Sequence, residues 1–126
     1  MKNINAATQY KKTDQMEIAQ PDANSILIKC FDELIKSMKI FQNNIVPSTE
    51  NFRKKSSSFS RALTILYSLQ SSVDFEKDIN IAKSLFQVYE YTRISLIEEF
   101  KSCKVNKSLN ALTALVEIRD SWKSIS

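Results

Sequence analysis

The chain contains no glycine in 126 residues, and this absence limits its folding more than any motif does. Average usage is about 7%. Tight hairpin turns and phosphate-cradling loops need backbone angles that glycine alone adopts cheaply, so a sheet-rich fold and a phosphate loop both lose their usual joints. Helices remain. A composition of 43% hydrophobic and 25% charged residues over this length suits one compact domain with a single core.

Four segments show the spacing of amphipathic helices. In residues 22–46, Leu27, Phe31, Leu34, Met38, Phe41 and Ile45 alternate steps of four and three, which aligns them along one stripe. Asp22 is expected to cap that helix and Pro47 to stop it. A second stripe, Phe59, Ala62, Leu66, Leu69 and Val73, predicts a helix over about 52–73. In 79–102, Ala82, Phe86, Tyr89, Leu96 and Phe100 share a face that Ile81, Leu85 and Val88 widen. The last helix, 107–125, presents Leu109, Leu112, Leu115, Val116, Ile118, Trp122 and Ile125, with Asn106 as its expected cap. Short joins between four such helices predict an all-α, antiparallel four-helix bundle. The polar stretch PSTENFRKKSSS, which contains the basic run Arg53, Lys54 and Lys55, is expected to be a solvated loop.

The residue types leave little room for catalysis. Histidine is absent, which removes both the side chain that titrates near neutrality and the imidazole metal ligand. The carboxylate pairs Asp32 with Glu33, Asp74 with Glu76 and Glu98 with Glu99 are spaced so that helical geometry splays neighbours about 100° apart. They are not expected to converge on a substrate. Cys30 and Cys103 lie within apolar helical patterns and read as small buried hydrophobes in a reducing compartment. No catalytic residue, cofactor or metal is expected.

The formal charge is +4, from 18 basic and 14 acidic residues, but the two signs are interspersed, so nucleic-acid binding is not indicated. A nucleic-acid binder would show an affinity that falls steeply with salt. No apolar run resembles a signal peptide or a membrane span, so the protein is expected in the cytoplasm without membrane insertion. Residues 1–21 contain Ile4, Tyr10, Met16 and Ile18 without helical period. They are expected to run extended over the 22–126 bundle as an arm that can cover a groove and leave it when a partner competes. Tyr89 and Tyr91 are two apart and cannot both face inward, so at least one ring should be open to a partner.

The stretch SVDFEKDINIAKSLFQVYEYTRISL, Ser72 to Leu96, resembles the signature region of the flagellar secretion chaperones, the FliS family. Ser72, Val73, Asp74 to Lys77, Ile81, Ala82, Leu85, Tyr89 and Tyr91 match it in type and spacing. CFDELI at Cys30 to Ile35 is similar to the family's helix-one element, LVEIRDSWKSI at Leu115 to Ile125 to its ending, and Tyr10 to the tyrosine of its arm. The chain is a divergent member by this measure. Asp78-Ile79 stands where the family has Gly-Gly, Glu33 where it has a helix-one glycine, and Asp22-Ala23 where it has Ser-Pro. Asp78 can cap the third helix, and Glu33 favours helix more than glycine does.

The resemblance implies a cytoplasmic, non-enzymatic chaperone. It would bind the disordered C-terminal region of flagellin, block premature polymerisation and hand the cargo to the flagellar export gate. The implied partner-binding residues are Tyr10 on the arm and Phe75, Leu85 and Tyr89 around the junction of helices two and three, with Trp122 assigned to the bundle interior. Weak homodimerisation is left open. On this reading Tyr89→Ala lowers flagellin affinity with little loss of helicity. The alternative is a regulatory or scaffolding bundle that binds a non-flagellin partner.

Overall fold

The computed structural model describes residues 22–125. These form four helices, α1 (Ala23–Asn43), α2 (Thr49–Ser71), α3 (Ile79–Ser102) and α4 (Ser108–Ser124). The arm expected over 1–21, with Tyr10, lies outside the described residues.

Local chemistry explains most helix ends. Asp22 caps α1 by accepting the Ser25 N–H at 2.7 Å, and this N–H holds the Asp22 carboxyl below its usual range. Asp78 likewise caps α3, accepting from the N–H groups of Asn80 and Ile81. Helix α1 stops at Asn43, short of the expected 46, because the Asn44 side-chain amide and backbone N–H both donate to the Ile40 carbonyl and close the last turn there. Ile45, beyond the helix, still packs into the core.

Two expectations are corrected. The polar connector is mostly helix, since Ser48 accepts the Asn51 N–H at 2.9 Å and starts α2 at Thr49. The serines that follow do not break it. Ser58 Oγ–H donates back to the Lys54 carbonyl at 2.6 Å, satisfying its hydroxyl within the helix. Asn106 is not the cap of α4 either. That position falls to Lys107, which makes no side-chain cap bond. The orphan N–H of Ser108 goes instead to Glu99 Oε2 on α3 at 2.7 Å, while the Ser108 hydroxyl donates to Glu99 Oε1.

The helices alternate in direction. At one end Asn24 of α1 donates to the Trp122 carbonyl of α4, and at the other Gln42 donates to Ser108 Oγ. The Phe59 ring lies against Phe100, centroids 4.4 Å apart, while Gln70 reaches Glu90 at 2.9 Å, so α2 and α3 are also antiparallel. Each helix packs on the next and α4 returns to α1, closing a four-sided bundle.

The core follows the sequence stripes. Phe31, Leu34, Met38 and Phe41 of α1, Ala62, Leu66 and Leu69 of α2, Tyr89 and Leu96 of α3, and Leu115 of α4 are buried. Rings gather at both ends, Phe31 with Tyr89 and Trp122 at one and Phe41, Phe59 and Phe100 at the other. Phe86 departs from its expected face and is exposed, as are Ile81, Leu109 and Ile125. The core face of α3 centres on Ala82, Tyr89 and Leu96, and at about 100° per residue Phe86 stands roughly 40–60° round from that line, toward the bundle's edge.

Candidate functional site

The α2–α3 junction is built by its own side chains. Ser72 closes α2 with its hydroxyl on the Leu69 carbonyl. The Glu76 N–H then donates to Asp74 Oδ1 at 2.9 Å, an Asx turn that reverses the chain without glycine. Asp78 restarts the helix two residues later. The segment Asp74 to Asp78 is therefore both a turn and the rim of a cleft.

That cleft, of about 190 Å³, draws on all four helices. Leu27 of α1, Leu69 of α2, Leu85 and Tyr89 of α3, and Trp122 of α4 line it, with Val73 and Ile81 beside them and Asp74, Lys77 and Asp78 supplying charge. Of the sequence-predicted residues, Leu85 and Tyr89 share this cleft. Phe75 does not line it. It sits 44% exposed on the turn, its ring 5.8 Å from the exposed Phe86. The two rings form an apolar outcrop next to the cleft.

Tyr89 is only 1% exposed and its ring meets Phe31 edge-on at 6.0 Å. Burial pushes its phenol well above the usual value. Its hydroxyl makes no hydrogen bond among the described residues, an unusual state for a buried tyrosine. The expectation that truncating Tyr89 would spare the fold does not suit this position, because the ring fills core volume. Tyr91, by contrast, is the exposed member of the pair.

Between these two tyrosines, Glu90 bridges α2 and α3. Its carboxylate accepts from Arg93 at 2.6 and 2.9 Å and from Gln70 at 2.9 Å. The Arg93 hydrogen bonds, then the Gln70 bond, lower its pKa from 4.5 to about 2. A carboxylate with a depressed folded-state pKa contributes stability above its unfolded value, and that contribution is lost as pH falls toward the folded one. The pair is more than a third exposed, so solvent screening keeps the effect below about 1 kcal/mol. Wild-type protein is expected to lose more stability than Glu90→Gln between pH 4.5 and about 2. Urea titrations at both ends of that window check it, and equal losses would remove Glu90 as the cause.

A second, larger cleft lies between α1 and α2. Its volume is about 700 Å³, and Ile26, Cys30 and Ile65 line it with Lys29, Thr64 and the Glu33–Arg61 pair. Arg61 donates to Glu33 at 2.8 Å. Sequence reasoning missed this groove, although Ile26, Cys30 and Glu33 step by four and three beside the core stripe. Glu33, where the resemblance has glycine, therefore places a charged wall on an apolar groove.

The paired acids take separate partners. Asp32 pairs with Arg119 of α4 and Glu33 with Arg61 of α2. Among the described residues no cluster of acidic, cysteine or histidine side chains could hold a metal ion, and no helix is long and apolar enough to cross a membrane.

The described residues form an all-α protein of the four-helix-bundle class, with apolar residues lining clefts between its helices. Within that class the chain belongs to the FliS family, since the family model described as "Flagellar protein FliS" matches residues 4–126. Membership implies a non-enzymatic flagellin export chaperone. A comparison with curated proteins finds no match.

Proposed function

We propose that this protein is a cytoplasmic export chaperone that binds the disordered C-terminal segment of flagellin, prevents its premature polymerisation and hands it to the export apparatus. The observation that supports this reading best is the Asp74–Tyr91 signature. Within a chain matched to the family from 4 to 126, it forms the rim and wall of the cleft shared by Leu85 and Tyr89, with Phe75 and Phe86 outside it. A disordered tail gains helix on such a surface, exchanging chain entropy for a large wrapped contact, which allows firm yet reversible holding without nucleotide hydrolysis.

In this reading Phe75 and Leu85 offer apolar contacts, Tyr89 forms the floor, and Tyr10 anchors the arm or contacts the export gate. Glu33, in the α1–α2 groove, adjusts cargo preference by placing a charge there. Phe75 is the cleanest probe because its ring is exposed and its removal leaves the core intact. Phe75→Ala is expected to weaken binding of a flagellin C-terminal peptide about tenfold, the size of an interface anchor worth roughly 1.4 kcal/mol, with unchanged helicity. Isothermal titration calorimetry reads the affinity. If wild-type protein fails to bind full-length flagellin from the same cell at micromolar concentrations, the proposal is wrong.

A further inference from the structure

The end of the bundle opposite the signature cleft holds a lysine and a cysteine in contact. Lys55 Nζ lies 3.2 Å from Cys103 Sγ and 4.8 Å from the centroid of the Phe100 ring. Lys55 is only 6% exposed, and among the described residues it pairs with no carboxylate. A buried ammonium without a counter-charge is costly. The sulfur and the ring are its only partners on the described part of the chain.

Cys103 is held and yet open. It ends α3 in the left-handed region at φ 60° and ψ 31°, where chains usually place glycine. Its N–H donates to the Glu99 carbonyl at 2.8 Å, which fixes that turn. Cys103 is half-buried and lines a cleft of about 620 Å³ with Val46, Pro47, Phe52 and Phe100, so a small solute has a route to the pair. The other cysteine, Cys30, lines the α1–α2 groove and makes no hydrogen bond to an amine among the described residues.

We propose that Cys103 is an oxidation site for peroxides and that Lys55 traps the oxidised sulfur as a sulfenamide joining α2 to the end of α3. In the first step hydrogen peroxide oxidises the thiol by two electrons. The O–O bond breaks, Cys103 becomes a sulfenic acid and one water leaves. In the second step the Lys55 nitrogen attacks the sulfur, the S–O bond breaks, an S–N bond forms, and a second water and a proton pass to solvent. Sulfenic acids condense with backbone nitrogen in the same way, and here a side-chain nitrogen already stands at contact distance. The link spans residues 48 apart in sequence, so it restricts the unfolded chain as a disulfide would and raises the unfolding midpoint.

The test treats full-length protein with hydrogen peroxide, quenches with the sulfenic-acid probe dimedone, and maps tryptic peptides by mass. The expected result is a cross-linked peptide joining Lys55 to Cys103, lighter than the sum of its parts by one molecule of hydrogen and returned to them by dithiothreitol. Dimedone should label Cys30 and leave Cys103 unlabelled. In Lys55→Arg, checked for helicity by circular dichroism, the cross-link should vanish and Cys103 should become dimedone-labelled. Wild-type Cys103 that takes up dimedone, or proceeds to sulfinic acid without a Lys55 link, overturns the proposal, and this result does not depend on any variant folding.

Discussion

Tyr89→Ala is expected to lower the stability of the bundle by about 3–5 kcal/mol, the usual cost of deleting a large buried ring. Tyr89 is among the largest fully buried side chains, and its ring stands against Phe31, which in turn meets Trp122 at 4.8 Å. Deleting it unseats an aromatic set that ties α1, α3 and α4 together. Tyr89→Phe keeps that packing and removes a hydroxyl without a hydrogen bond among the described residues, so its stability should stay within about 0.5 kcal/mol of wild type or rise slightly. The two substitutions therefore separate volume from polarity. If the hydroxyl finds its acceptor in the cargo, Tyr89→Phe weakens binding about fivefold, near 1 kcal/mol, in a protein of unchanged fold. Urea denaturation and calorimetric titration read the two quantities. An alanine variant as stable as wild type would show that the ring is not a core element, and an unchanged Tyr89→Phe affinity would remove the hydroxyl from the contact.

Glu99→Ala is expected to cost about 3 kcal/mol. Glu99 is 2% exposed and accepts both the backbone N–H and the hydroxyl of Ser108, and Gln42 donates to that same hydroxyl. One carboxyl group thus joins α3 to the start of α4 and, through Ser108, to the end of α1. Hydrogen bonds to a charged acceptor are worth roughly 1.5–3 kcal/mol each, and removing the acceptor leaves buried donors unpaired. Glu99→Gln keeps one accepting oxygen and should lose about 1 kcal/mol. Amide hydrogen exchange gives the sharper readout, because Ser108 and the first turn of α4 should lose protection before the rest of the bundle. Uniform loss across all four helices would argue against a local capping role.

How far the sequence was legible varied by element. The stripes of α1 and α2 were read nearly residue for residue, because a helix that packs on one face repeats its apolar residues with a period set by the backbone alone. Asp22 and Asp78 were equally readable, since an N-cap bonds within three residues of itself. The start of α2 was less legible, because serines often compete with helical hydrogen bonding, whereas here Ser58 returns its hydroxyl to the preceding turn. Phe86 was assigned inward from spacing alone, but α3 borders two neighbours and its outer edge is set by where they end.

The candidate site shows the same division. The signature from Ser72 to Tyr91 located the α2–α3 junction and the family, and the match over 4–126 agrees with it. Whether a given ring of that signature is floor or outcrop was not legible. Tyr89 and Phe75 differ little in type, yet one is core and the other exposed.

By itself, then, the sequence determined the helical class, the number of helices, two of their caps and the family, because each rests on residue type, local spacing or motif. Tertiary structure alone decided the Glu99 cap of α4, the α1–α2 groove walled by Glu33 and Arg61, and the meeting of Lys55 with Cys103. Those contacts join residues 9, 28 and 48 apart. A helical period specifies which face a residue occupies, while the partner it meets there depends on how neighbouring helices are rotated and staggered, which is a property of the packed core as a whole.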